Sequence, residues 1–179
     1  HAEIIEYLET EGEGIGAVYD PGITSTSQTY QDYLDTIEQY DVTLYETYAG
    51  DTIPFENVDA EVLAPPEGYL ANEDRNENSL VIHLGHGNAS FLLPVDVEAE
   101  AEAYLVEQYG SQLNSTVLIP GQHGSSSSTS VEFLGTVDPR VGVITSGYDS
   151  QYGHPHEETL DRLANQKVRT YWTGTHGTV

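Results

Sequence analysis

Cysteine is absent from this 179-residue chain, which excludes disulfides, zinc–thiolate centres and thiol nucleophiles. Cations are nearly absent as well. Five Lys and Arg stand against 30 Asp and Glu, a formal net charge of −25. Lys167 is the single lysine, and the other cations are Arg75, Arg140, Arg162 and Arg169. So negative a chain repels DNA and RNA at low salt, which argues against phosphate-driven nucleic-acid binding there. At molar salt the Debye length falls to about 3 Å and the repulsion is mostly screened, so a phosphodiester substrate is neither excluded nor favoured by charge. Long apolar runs are also missing. No stretch approaches the roughly 18 consecutive apolar residues that a membrane-spanning helix needs.

The acidic residues run through the whole chain and are not gathered in a tail. Dispersed acid with intact hydrophobic periodicity reads as a solvated shell on a folded protein, and adaptation to molar salt is its simplest account. The other reading is an acidic partner-binding surface. The length fits one domain, expected to span 1–179, with enough chain to bury a core. Two sequons, Asn88-Ala89-Ser90 and Asn114-Ser115-Thr116, are compatible with an external protein. An extracellular or cell-surface place in a halophile is therefore slightly favoured over the cytoplasm. The chain starts at His1-Ala2-Glu3, not at Met, and reads as a fragment or a processed product.

Hydrophobic spacing places helices over 2–11, 27–40, 97–109, 131–137 and 156–165. Strands are expected over 15–19, 42–47, 60–64, 115–119, 141–145 and 167–172. Two further apolar runs, 80–84 and 90–93, flank Gly85-His86-Gly87-Asn88 and read as a hairpin. The segment 67–78 is polar and reads as a surface loop. Strands and helices alternate in the second half, so the class is α/β.

Chemistry concentrates where the apolar runs end. One run closes at Pro94-Val95-Asp96, the next opens into Gly121-Gln122-His123-Gly124-Ser125, and Tyr152-Gly153-His154-Pro155-His156 precedes a helix. A carboxylate and imidazoles just past successive strands are how an α/β sheet gathers groups at one edge. Each residue also has a plainer reading. Asp96 suits a helix N-cap, His123 an exposed loop histidine, His154 a turn cap and His156 a helix start. The serines 125–128 suit a phosphate cradle or a flexible loop equally. His83 and His86 read as surface residues of the hairpin, His1 and His176 have no motif around them, and the 13 tyrosines read as core and rim packing, not as a stacking platform for bases.

The order of these three motifs resembles the C-terminal half of a metallo-β-lactamase-fold domain of the ComEC-type competence group. That group carries a strand ending in Thr-Gly-Asp, a strand ending in His-His-Gly-Ser, and Tyr-Gly-His-Pro-His before a helix. The resemblance runs from Glu61 to Val179, with two departures: Pro94-Val95 stands for Thr-Gly, and Gln122 for the first His of the pair. The group's His-x-His-x-Asp-His motif is absent. The resemblance implies a four-layer αββα sandwich, incomplete on its N-terminal side, with an unpaired sheet edge open to self-association. It further implies two divalent cations, zinc or manganese, bridged by Asp96 and ligated or supported by His123. His154 and His156 would lie at the rim, in substrate binding or proton transfer. The implied activity is hydrolysis of a phosphodiester or related ester, with nucleic acid as the partner in a DNA-uptake setting. A two-metal centre takes about five or six protein ligands, and Asp96 and His123 are two. The alternative is a degenerate, non-catalytic binding or structural module on the same fold.

Overall fold

The computed structural model describes residues 2–70 and 74–179. His1 and residues 71–73 of the expected polar loop lie outside the described residues. The chain divides into two compact units, His1–Thr47 and Tyr48–Val179.

The first unit holds helix α1 (Ala2–Glu11), strand β1 (Val18–Asp20), helix α2 (Gln28–Gln39) and strand β2 (Leu44–Glu46). β1 and β2 pair in parallel, Val18 opposite Leu44 and Asp20 opposite Glu46, with α2 as the crossover. Ser27 caps α2 by accepting the Tyr30 N–H, the usual role of serine at that position. Tyr33 and Ile37, four residues apart, bury one face of α2 against Ile5 of α1 and Val42. Both strands are shorter than the expected runs, and β1 starts three residues later than 15–19 and ends one residue past it. Ile15 gives the reason: its N–H donates to the Glu9 carboxylate at 2.6 Å, which ties it to the end of α1 and away from the ladder.

The second unit is built on a six-stranded mixed sheet in the order β3 (Asp59–Ala64), β4 (Val81–His86), β5 (Ala89–Leu93), β6 (Val117–Leu118), β7 (Val141–Ile144) and β8 (Arg169–Trp172). β3, β4 and β5 are antiparallel neighbours, whereas β5 through β8 run parallel. Parallel pairing requires crossovers, and helices α3 (Ala99–Tyr109), α4 (Val131–Val137) and α5 (Glu157–Asn165) supply them. Strand residues Leu92, Leu118 and Ile144 meet Leu105 of α3, Phe133 of α4 and Leu163 of α5 in one core, all fully buried. The hairpin turns at Gly87-Asn88, because the ladder continues to the pair His86–Ala89. The outer edge of β3 does not stand bare: Gly50 N–H donates to Val62 O at 2.8 Å, and Val62 N–H to Asp51 O at 2.9 Å. After β8 the chain makes a single helical turn, α6 (Thr173–His176). Among the described residues no helix is long and apolar enough to cross a membrane.

Candidate functional site at the carboxyl edge of the sheet

Because β5 to β8 are parallel, the segments that follow them leave from one edge of the sheet, the usual place for a site in an α/β fold. Three of those segments are stitched together. Val95 O accepts the Gln122 N–H at 2.8 Å, and Gly124 O accepts the His156 N–H at 3.0 Å. The fit is close. A Cβ at Gly124 would lie 2.8 Å from the Pro155 side chain, and one at Gly121 3.1 Å from Val97 O. Val95, Gln122 and His123 all stand in the left-handed region, at φ +56°, +45° and +56°. That conformation is disfavoured for Val most of all, since a β-branched side chain crowds the backbone there. Val95 thus keeps a backbone shape suited to glycine, the residue that stands at this place in the resembling group.

His123 is exposed, and its Nδ1 lies 2.6 Å from the carbonyl oxygen of Thr145, just past β7. A carbonyl only accepts, so Nδ1 carries the proton and Nε2 holds the free lone pair. This is the tautomer that a metal ligand or a general base at Nε2 requires. The His154 ring lies 6.5 Å from that of His123, 5.8 Å from Tyr152 and 4.8 Å from His156, centroid to centroid. Burial, then the neighbouring His156 and His123, hold its pKa below the ordinary imidazole value. Its neutral form is favoured.

His156 differs from its neighbours because both of its nitrogens are engaged. Nδ1 accepts the Ser126 N–H at 3.0 Å, and Nε2 donates to Tyr152 O at 3.1 Å. It fastens the serine loop to the β7–α5 segment and leaves no nitrogen for a ligand. Asp96 is half-buried, and the helix-cap role that competed for it is filled otherwise. Glu77 reaches across to accept the N–H groups of Glu98, Glu100 and Ala101 at the start of α3. Among the described residues the Asp96 carboxylate has no hydrogen-bond partner.

The Gln122 amide is engaged, donating to Glu98 and accepting from the Ser127 hydroxyl at 3.0 Å. The serines are held. Ser128 Oγ donates to Val97 O at 2.8 Å, and Ser125 O accepts from Thr159 at 2.7 Å. Glu102 of α3 accepts the N–H groups of Thr129 and Ser130 from below, and Ser130 caps α4. With these bonds made, and the Ser126 N–H given to His156, the loop is a braced element and neither a flexible tether nor an open phosphate cradle. His176 closes α6 by accepting the Trp172 N–H at 3.0 Å. His83 is half-buried on β4 with a buried, unpartnered Nε2, not a surface residue. Sequence reasoning missed Glu77, Glu102 and Thr145. The first two are acids in an acid-rich chain and the third acts through its backbone, so no sequence signal marked them.

A metal centre fits the described residues only in part. Asp96 and His123 offer suitable atoms, but among the described residues no group of three or more His, Asp or Glu lies close enough to hold an ion.

The chain has clear relatives. It is 30% identical over 146 residues to ComE operon protein 3 of Bacillus subtilis, covering 82% of this chain and 18% of that protein. It is 37% identical over 123 residues to competence protein ComA of Neisseria gonorrhoeae, covering 69% and 18%. It is 34% identical over 114 residues to recombination protein 2 of Haemophilus influenzae, covering 64% and 14%. One of these relatives is named for competence and one for recombination. The chain spans less than a fifth of the length of each. No family model matches it.

Proposed function

We propose that this chain is the distal part of a metallo-β-lactamase-like hydrolase domain in a DNA-uptake protein of a halophile. In this reading it supplies Asp96, His123 and His154 to a phosphodiester-hydrolysing site that residues outside these 179 complete. The observation that carries the reading is the pairing of His123 Nδ1 with Thr145 O, which frees Nε2, at the same sheet edge as an unpartnered Asp96 carboxylate. A metal, zinc or manganese, would polarise the substrate and activate water once such a site is complete. The chain's own residues hold and orient. His123 presents Nε2, His154 stands beside it with its neutral form favoured, and His156 fixes the loop on which both depend. The similarity to competence proteins supports the DNA-uptake setting, and the αββα sandwich belongs to the same proposal.

A second reading, a non-catalytic module on this fold, draws on one observation: the described residues do not gather three ligands. Zinc separates the two. Titration of diamagnetic Zn²⁺ in molar KCl, followed by imidazole NMR, should shift the ring signals of His123 and His154 and leave those of His156, whose nitrogens are engaged. Asp96→Ala should remove that selectivity. Equal shifts at all histidines, or none, would count for the module.

A further inference from the structure

We propose that Tyr148 and Tyr152, on the β7–α5 segment, form a stacking surface for the bases of single-stranded nucleic acid beside the His123–His154 rim. The inference rests on the phosphodiester reading above and names the form of its substrate.

The two tyrosines stand apart from a simple packing role, each 68% exposed. Both are nonetheless braced. The Tyr148 ring lies 5.7 Å from that of Trp172 and nearly parallel to it, at 14°. Trp172 is fixed in turn by its indole N–H, which donates to Ser146 O at 2.9 Å, and by Gly174, where a Cβ would come within 2.7 Å of the indole. Trp172 braces the Tyr148 ring in an offset stack and leaves it 68% exposed. Tyr152 lies against His154 at 29°, and its carbonyl is held by His156 Nε2. A turn closed by the Gly153 N–H on Ser150 O at 2.9 Å shapes the segment between them. Four residues of chain span at most about 14 Å, so both rings lie within reach of a few successive nucleotides. Aromatic rings held in advance cost little side-chain ordering on binding.

Charge makes stacking the workable source of affinity. With five cations against 30 acids, the chain cannot gain from counterion release in the way nucleic-acid-binding proteins usually do. Stacking needs no cation, accepts every base, and persists when molar salt has removed phosphate electrostatics. A duplex keeps its base faces inside the helix, so only unpaired bases can use this surface.

The test is fluorescence anisotropy of the whole 179-residue chain with labelled oligothymidine, and with the same strand annealed to oligoadenine. It is run with chelator across a KCl series. The single strand should bind with an affinity that holds or improves as KCl rises, and the duplex much more weakly. Tyr148→Ala and Tyr152→Ala should each weaken single-strand binding by roughly tenfold, within the range of a lost base–aromatic stack. Tyr148→Phe and Tyr152→Phe should bind as the parent does, which separates stacking from a misfolded segment. Alanine variants that bind as tightly as the parent, duplex binding equal to single-strand binding, or no binding of either probe would each overturn the proposal. The zinc experiment reads independently of the tyrosines. Selective shifts at His123 and His154 alongside any of these outcomes would leave the phosphodiester reading standing and remove this one alone.

Discussion

At position 95 a β-branched side chain holds φ at +56°, half-exposed, with its carbonyl fixed by the Gln122 N–H. Such a backbone costs on the order of 1–3 kcal/mol for a non-glycine residue. Glycine removes that strain but adds roughly 0.5–1 kcal/mol of unfolded-state freedom. Val95→Gly should therefore stabilise the second unit by about 1 kcal/mol, read as a higher urea midpoint at unchanged slope. A loss of stability would mean that the Val95 side chain contributes packing that outweighs the strain. His154 makes a second residue-level prediction. Its folded pKa lies below the ordinary imidazole value, from burial first and from His156 and His123 second. As pH falls through the ordinary histidine range, near 6.5, the unfolded chain takes up a proton that the folded chain resists. Stability should therefore fall with pH in that window and level off below the folded pKa. NMR titration in molar KCl checks it, and a His154 that titrates at or above free imidazole would sink it.

At the scale of elements, the serine loop depends on α3. The buried Glu102 carboxylate accepts two backbone N–H groups at the start of α4. Desolvation raises its pKa while the bonds from Ser130 and Thr129 pull it down. Glu102→Gln keeps the shape but turns an amide N–H₂ toward donors. It should cost about 1.5–3 kcal/mol, the worth of hydrogen bonds to a charged group, and speed amide exchange at Thr129 and Ser130. An unchanged denaturation midpoint would show that the carboxylate adds nothing there. The elements themselves were largely legible in the sequence. Apolar periodicity marked α4 at 131–137 with its boundaries as observed, and it marked each parallel strand within a few residues. It overran at β1 because pattern alone does not reveal that Glu9 captures the Ile15 N–H. The site was legible only as an order of motifs along the chain. What distinguishes His123 from His156 is a carbonyl in one case and an amide plus a carbonyl in the other, and backbone partners leave no mark in a sequence. Asp96 turned on a distant residue, since the helix end it might have capped is taken by Glu77 from 21 to 24 positions upstream of the groups it binds.

At the scale of the whole molecule, a net charge of −25 works against every compact arrangement of this chain. Repulsion between exposed carboxylates reaches across about 10 Å at 0.1 M ionic strength and only about 3 Å at 1 M. The core alone must hold the fold against whatever repulsion remains, and hydrophobic residues make up 37% of the chain. The melting temperature should therefore climb steeply with KCl and keep climbing toward molar concentrations, after the few favourable ion pairs available to five cations have been screened away. Potassium chloride acts chiefly by screening, whereas sucrose raises stability by its exclusion from the protein surface. Sucrose at matched osmolality should give a much smaller rise than KCl. If the two solutes stabilise equally, self-repulsion is not the controlling term, and the acidic surface needs another explanation, such as a cationic partner. If KCl alone stabilises, the same screening that folds the chain also lets a polyanionic strand approach it. Stability and substrate access would then share one dependence on salt.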